Sequence, residues 1–272
     1  MNCHYYLLLV VLVLATISFV DSKKKDRNVP HGHFGILKPH VPGPLLDVTL
    51  QPADEKELSS GKSVMKQVLP KPGDKDEESA GGVFCVQDIE APKQAVWRQI
   101  LGMDEYVSKV AKVLECKNYD VCKNQDGTIT IKTRQRLGVL PGYSYENYYD
   151  HTYFPDKGSL TWRLDYEKKS DFDDVSGHWH VEDHPTKTGC SRVFYACDIK
   201  LNGAVPGPVL SFISKSALKQ ATAWVKKESE LDPSATIPAF YASESRESVT
   251  NDNEKVPEVA GRFQGFKRFS KQ

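Results

Sequence analysis

The segment GAVPGPVLSFISKSALKQATAWVKKESE, residues 203–230, decides the fold that we expect for this chain. Pro206 and Pro208 stand where a helix tolerates proline, at its start, because the first backbone N–H groups have no partner within the helix. Beyond them, apolar residues recur every three or four positions, at Val209, Phe212, Ile213, Ala217, Ala221, Trp224 and Val225. This spacing predicts an amphipathic helix of roughly 22 residues, about 33 Å long at 1.5 Å per residue.

The residues before this helix have the pattern of β-strands. Leu160, Trp162, Leu164 and Tyr166 alternate with polar residues, which is typical of a sheet with one apolar and one solvated face. Turn signals such as Asn-Gln-Asp-Gly at 124–127 separate neighbouring strands. Seven strands are predicted, at 83–89, 113–121, 128–137, 143–154, 160–167, 176–182 and 192–201.

Two short helices are predicted between the first and second strands. The first opens at Ala91-Pro92, and the second covers Asp104 to Ala111 with Asp104 as its N-cap. An antiparallel sheet needs its apolar face covered, and the C-terminal helix is the only predicted element long enough to do so. We therefore predict an α+β fold, a curved seven-stranded antiparallel sheet with two short helices and a long C-terminal helix.

Composition divides the chain into four regions. Residues 1–22 are predicted to be a signal peptide, because the apolar run from Tyr5 to Val20 is short for a bilayer span, although an uncleaved anchor is the alternative. Residues 23–80 are rich in proline and charge and predict a flexible leader, with 34–50 as the part that could dock. Residues 81–231 are the folded domain, and 232–272 are expected to be disordered. The signal predicts the secretory pathway, as a secreted or endomembrane-lumen protein or in an organelle reached through it.

Charge and cysteine content limit the possible functions. The 36 basic side chains balance the 36 acidic ones, so we expect no nucleic-acid partner. Cys116 and Cys122 would lie roughly 20 Å apart along one strand, too far to form a disulfide, whereas a bridge from Cys85 to a neighbouring strand stays open. There is no C-x-x-C pair, no G-x-S-x-G elbow and no phosphate-binding glycine loop. No cofactor is expected.

Four short motifs, together with the order of elements, resemble the START-like (SRPBCC, helix-grip) superfamily, and in particular its polyketide cyclase/dehydrase and coenzyme Q-binding protein branch. They are Ala91-Pro92-x-x-x-Val96-Trp97, Asp165-Tyr166-x-x-x-Ser170-Asp171, Gly177-His178-Trp179 and Ala223-Trp224-Val225-Lys226. The resemblance covers about 83–230. It implies a sheet wrapped on the C-terminal helix with a lipid-sized tunnel between them, but not one function, since this superfamily contains carriers, receptors and enzymes.

A ligand cavity is therefore expected between sheet and helix. Its predicted walls are Trp162, Leu164, Tyr166, Tyr145, Tyr149, Phe212, Ile213 and Trp224, and its predicted gate is Gly203, Pro206, Gly207 and Pro208. We expect a monomer that binds a lipid, sterol or quinone without catalysis. A cyclase or dehydratase using the same cavity is the alternative, and a module that only mediates protein interactions, with a filled core, is a third possibility.

Two further features carry weaker expectations. His178, His180, Glu182 and His184 project from one face of a strand, where His178 and His180 are weak candidates for a metal site. A solvated outer face is the favoured interpretation, and no metal is expected. Aromatic and basic residues alternate in the tail at 261–272, which allows transient contact with an anionic membrane surface.

Overall fold

A computed structural model describes residues 26–45, 49–68, 80–140, 143–202 and 221–242, and an antiparallel sheet lies at its centre. The sheet has eight strands in the order β1-β2-β8-β7-β6-β5-β4-β3. The strands are β1 Val64–Val68, β2 Ala80–Ile89, β3 Val113–Lys123, β4 Ile129–Leu140, β5 Tyr143–Phe154, β6 Ser159–Leu164, β7 Phe172–Asp183 and β8 Ser191–Leu201.

The helices that the structure describes are short, with one before the first strand, two between β2 and β3, and one after β8. They are α1 Pro52–Ser59, α2 Lys93–Leu101, α3 Tyr106–Lys109 and α4 Ala223–Leu231, with single 3-10 turns at Met103–Glu105, Pro155–Lys157 and Ala239–Tyr241. Trp97 of α2 packs on Tyr153, and Trp224 of α4 packs on Tyr106 at a ring-centroid distance of 4.9 Å. Both helices cover the same face of the sheet, which we call the inner face.

The predicted fold class is confirmed, with one more strand than expected. The extra strand, β1, comes from the part of the chain predicted to be a flexible leader and pairs with β2. The expected second helix is shorter than predicted, as a 3-10 turn and α3. Asp104 does not cap that helix, because its carboxyl group accepts instead from the backbone N–H of Asn118 at 2.8 Å.

The leader is ordered wherever the structure describes it, which agrees with the docking expected of 34–50 and differs from the flexibility expected of the rest. Residues 26–45 run over the opposite face of the sheet, the outer face, without regular secondary structure. Their backbone N–H groups are bonded by sheet side chains: Ile36 and Leu37 donate to Asp174, His40 donates to Ser176, and Gly43 donates to Ser159. These bonds satisfy the backbone without a helix or strand, so proline-rich composition does not prevent order here.

The tail also begins later than predicted. Ala235, Ile237 and Tyr241 pack against the main core, so at least these residues belong to the folded domain. The remaining predicted tail at 243–272, the signal peptide, the predicted gate and the predicted C-terminal helix up to residue 220 lie outside the described residues. Within the range predicted for that helix, the structure describes a helix from Ala223 to Leu231.

The structure also shows the state of the described cysteines and whether a described helix could cross a membrane. The five described cysteines, at 85, 116, 122, 190 and 197, are all free thiols, so the bridge from Cys85 that the sequence left open is not formed. Within the described ranges, no helix combines the length and apolar character that crossing a bilayer requires.

Candidate functional site

A cavity of about 280 Å³ lies between the inner face of the sheet and the helices. Strands β3 to β8 contribute to its wall, and Ala221 and Trp224 close it from the C-terminal helix. Most of the lining is apolar or aromatic, and Lys112 is the one lining residue with a permanent charge among those described. A concave apolar space with few polar groups is the usual form of a small-molecule site.

The predicted wall residues divide into three groups. Trp162, Tyr145, Tyr149 and Trp224 line the cavity. Leu164 faces the same side but is fully buried behind the lining, in a cluster with Tyr149 and Phe172. Phe212, Ile213 and the predicted gate of Gly203, Pro206, Gly207 and Pro208 lie outside the described residues.

Tyr166 was predicted to line the cavity, but it lies on the outer face of the sheet. Strand β6 ends at Leu164, so the alternation that places Trp162 and Leu164 inward does not extend to Tyr166. Its hydroxyl donates to Asp174 at 2.8 Å, and its ring lies 6.2 Å from that of His31 in the leader. Tyr166 therefore helps to hold the leader and does not contact a ligand in the cavity.

Trp162 obtains its position from a glycine on the neighbouring strand. Gly177 is directly opposite Trp162 in the β6–β7 pair. A Cβ atom at Gly177 would lie 2.0 Å from the Trp162 ring, far inside van der Waals contact. The absence of a side chain at 177 thus lets the indole lie flat against β7 and form part of the cavity wall.

His151 is the polar group in the cavity that sequence reasoning did not select. It lies on β5 with the same parity as Tyr145 and Tyr149, and that parity was the signal that could have identified it. Its Nδ1 lies 3.0 Å from the carbonyl oxygen of Ile131. Because a carbonyl oxygen only accepts, Nδ1 carries the proton and Nε2 is left as an acceptor.

Burial fixes the protonation states around the cavity. Desolvation lowers the pKa of His151 to about 4, against a smaller opposing effect of the Ile131 carbonyl, so the ring is neutral at neutral pH. Burial also raises the pKa of the Tyr149 and Tyr195 hydroxyls and raises that of the Cys197 thiol to about 12. These side chains therefore give the cavity neutral hydroxyl donors and one neutral nitrogen acceptor.

The histidines of β7 are not in the cavity and are not solvated. His178 is fully buried on the outer face, with its ring stacked between those of His40 and His180 at 6.0 and 6.2 Å. His180 Nδ1 is 2.9 Å from Ser159 Oγ, and His184 Nε2 is 3.0 Å from Asp88. The expected solvated face is thus wrong, because the leader covers it, and these side chains do not converge on a common point.

Comparison with known proteins adds a likeness of fold. No family model matches the sequence, and no curated protein matches it. Among solved structures, a START superfamily protein from Mycobacterium smegmatis is 14% identical with a TM-score of 0.46, covering 55% of this chain and 97% of that one. The Zhui aromatase/cyclase from Streptomyces sp. R1128 is 12% identical with a TM-score of 0.43, over 54% and 92% of the two chains.

The lipid transfer and protein localization domain of human StarD13 is similar as well, with 15% identity and a TM-score of 0.44 over 66% of this chain and 98% of that one. The described domain is an antiparallel sheet with helices on its inner face, which is the arrangement that the sequence resemblance implied. These likenesses concern the fold, and they say nothing about which ligand this chain takes.

Proposed function

We propose that this protein binds one hydrophobic small molecule, a lipid, sterol or quinone, in the cavity on the inner face of the sheet. The observation that carries the proposal is the cavity itself, which is lined by aromatic and aliphatic side chains. A ligand burying about 400 Å² of apolar surface there gains on the order of 10 kcal/mol at about 25 cal/mol per Å². Association and ordering offset much of that gain, which leaves micromolar to nanomolar affinity.

The cavity volume favours a compact ligand. About 280 Å³ is close to the lower end of the range of roughly 300–1,000 Å³ that small-molecule sites occupy. A quinone ring, a compact sterol or a single acyl chain agrees better with this volume than a lipid with two long chains does. A filled core, as expected of a module that only mediates protein interactions, does not agree with it.

The polar groups of the cavity favour a ligand with a hydroxyl group. His151 Nε2 accepts, since Nδ1 donates to Ile131, and the ring lies beside Trp162 at a centroid distance of 6.1 Å. An apolar ligand with a hydroxyl, such as a sterol or a reduced quinone, can donate to this nitrogen while its body contacts the aromatic wall. One neutral hydrogen bond of this kind contributes about 1 kcal/mol, so it orients the ligand more than it holds it.

We propose that the ligand is exchanged with a membrane through apolar residues beside the cavity. Val107 and Leu114 are about half exposed, and they neighbour the lining residues Tyr106 and Val113. Under the proposal, a monomer in the secretory pathway touches the lipid surface transiently through these apolar side chains and leaves with its ligand.

The experiment combines lipid analysis with one substitution. Native mass spectrometry of the full chain, with a panel of a sterol, a ubiquinol, a ubiquinone and a fatty acid, should show one molecule bound per chain. His151→Phe keeps an aromatic ring and removes the acceptor, so affinity for a hydroxyl-bearing ligand should fall about fivefold. His40→Phe, on the outer face, is the control and should bind as the wild type does. Empty protein across the whole panel would refute the proposal.

A second function, a cyclase or dehydratase acting on a polyketide-like substrate, is supported by the same histidine. A neutral imidazole inside an apolar cavity can accept a proton from carbon, and the raised pKa of the Tyr149 hydroxyl keeps it available as a donor 5.8 Å away by ring centroids. Turnover of an aromatic polyketide precursor that His151→Phe abolishes would favour the enzyme. Binding without turnover favours the carrier.

A further inference from the structure

Two leader histidines and one sheet carboxylate meet on the outer face, away from the cavity. His31 and His33 belong to the leader, and Asp173 belongs to β7, about 140 residues further along the chain. One nitrogen of each ring and one oxygen of Asp173 all lie within 4.8 Å of one another. The two rings are perpendicular, with centroids 4.8 Å apart.

His31 is already arranged as a metal ligand. Its Nε2 lies 2.8 Å from the backbone oxygen of Asp173, so Nε2 carries the proton and Nδ1 keeps its lone pair. The residue is 8% exposed, and Nδ1 is buried without a hydrogen-bond partner among the described residues. A ligating imidazole usually donates its other N–H to a carbonyl or carboxylate in this manner, which fixes the tautomer and the ring.

His33 contributes a second buried nitrogen. Its Nε2 lies 3.5 Å from Asp173 Oδ1 and, within the described chain, makes no hydrogen bond. Its Nδ1 accepts from the backbone N–H of Gly35 at 3.1 Å. Ligation through Nε2 moves the ring proton to Nδ1 and breaks that bond, at small cost because the amide is exposed to water.

Nearby lysines limit the affinity. Lys200 Nζ lies 3.9 Å from Asp173 Oδ2, and Lys169 lies near His31. Two lysines against one carboxylate favour a site weaker than a structural zinc site, with a dissociation constant in the micromolar range.

We propose that His31 Nδ1, His33 Nε2 and Asp173 Oδ1 form a three-ligand site for Zn²⁺, with a water molecule as fourth ligand. Two imidazoles and a carboxylate are ligands that zinc prefers, and tetrahedral geometry brings ligand atoms to about 3.4 Å from one another at bonds of about 2.1 Å. The distance of 3.5 Å between His33 Nε2 and Asp173 Oδ1 already fits, and one ligand atom of each of the three residues lies within 4.8 Å of the others. The ion joins the leader to β7 and so strengthens the cover of the outer face, independently of what the cavity binds.

Titration of the metal-free full chain tests the proposal. Co²⁺ should give the visible absorption of a tetrahedral complex at one equivalent, and Zn²⁺ should displace it. His33→Ala and Asp173→Asn should each reduce the affinity at least tenfold. His40→Ala is the matched control, since His40 is also a leader histidine with a carboxylate at 3.0 Å, from Asp198, and it should bind Co²⁺ as the wild type does.

A second measurement separates the site from other metal-binding groups in the chain. Zn²⁺ should slow amide hydrogen exchange at Ile36 and Leu37, whose N–H groups donate to Asp174, in the wild type and leave it unchanged in His33→Ala. The circular dichroism of the variant should match that of the wild type, because the side chain of His33 is 24% exposed and its loss leaves the core intact. No saturable Co²⁺ binding, or equal binding by wild type and His33→Ala, would overturn the assignment.

Discussion

The two faces of the sheet are covered by different means. The inner face is covered by α2 and α4, through apolar contacts such as those of Trp97 and Val225, and it keeps a cavity. The outer face is covered by the leader, which is held by hydrogen bonds to Asp174, Ser176 and Ser159. A helix satisfies its own backbone and needs only apolar contact, whereas an irregular segment needs a partner for each buried N–H group.

The difference explains where a ligand can bind. Apolar contact is not directional, so the helices can cover the inner face and still leave space between them and the sheet. Hydrogen bonds require short distances, so the leader lies close against β7 along residues 31–40. We infer that the inner face is suited to binding ligands of different shapes, whereas the outer face is suited to one fixed segment of the same chain.

The largest effect is expected at Asp174, where the outer cover depends on one buried carboxyl group. It accepts from the backbone of Ile36, Leu37 and Val175 and from the hydroxyl of Tyr166. Asp174→Ala leaves these buried donors without an acceptor, which should lower the free energy of unfolding by about 4 kcal/mol. Urea denaturation measures it. Asp183→Ala, which removes an exposed pair with Lys93, should cost about 0.5 kcal/mol or less.

Equal effects of the two substitutions would mean that the leader is not held by Asp174. If the leader amides of Asp174→Ala stayed as protected from hydrogen exchange as those of the wild type, hydrogen bonds to Asp174 would not be what holds the leader on the outer face.

An intermediate effect is expected at Gly177, where the inner face depends on close packing. Gly177→Ala places a methyl group on the Trp162 ring, so the indole has to move toward the cavity. Overpacking of this kind should cost about 2 kcal/mol and change ligand affinity, as measured by urea denaturation and native mass spectrometry. The double variant Gly177→Ala/Trp162→Phe should recover part of the lost stability. If it recovered none, the close contact between residue 177 and the Trp162 ring would not be the cause of the loss.

The smallest effect is expected in the pH dependence of stability at His178. Burial, with the neighbouring rings of His40 and His180, lowers the pKa of His178 to about 3, whereas the unfolded chain titrates near 6.5. Below about pH 6.5 the unfolded state binds a proton that the folded state excludes, so acid favours unfolding until about pH 3. Above that window His178 has no such effect.

Between pH 7 and pH 5, the free energy of unfolding of the wild type should therefore fall by about 1–2 kcal/mol more than that of His178→Phe. The estimate uses about 1.4 kcal/mol per unit of pKa difference. Urea denaturation at pH 7, 6 and 5 measures the two slopes. Parallel slopes would show that the leader leaves His178 open to water.

Much of the fold could be predicted because its signals are local. The alternation around Trp162 predicted the correct inward face, and the turn residues at 124–127 separate two strands that the structure shows. The prediction failed at Tyr166, where the strand ends two residues earlier than the alternation suggests. His151 shares the parity of Tyr145 and Tyr149, so its place in the cavity wall could have been predicted. Its tautomer could not, because it depends on the carbonyl of Ile131 on the neighbouring strand.

The leader could not be predicted for a related reason. Its composition resembles that of a disordered segment, and its order depends on partners such as Asp174 and Asp198, which lie about 140 to 160 residues away. Alternation in β7 indicated correctly that His178 points to the face opposite the helices, but it did not show that another segment would cover that face.

Covering the outer face with a segment that precedes every strand of the sheet has a consequence for the order of folding. Residues 26–45 leave the ribosome well over a hundred residues before β7 does. At about 5–20 residues per second, they wait roughly 7 to 30 seconds for their binding surface, and closing so long a loop is slow. This segment is therefore expected to reach its final position late, after the strands have already paired.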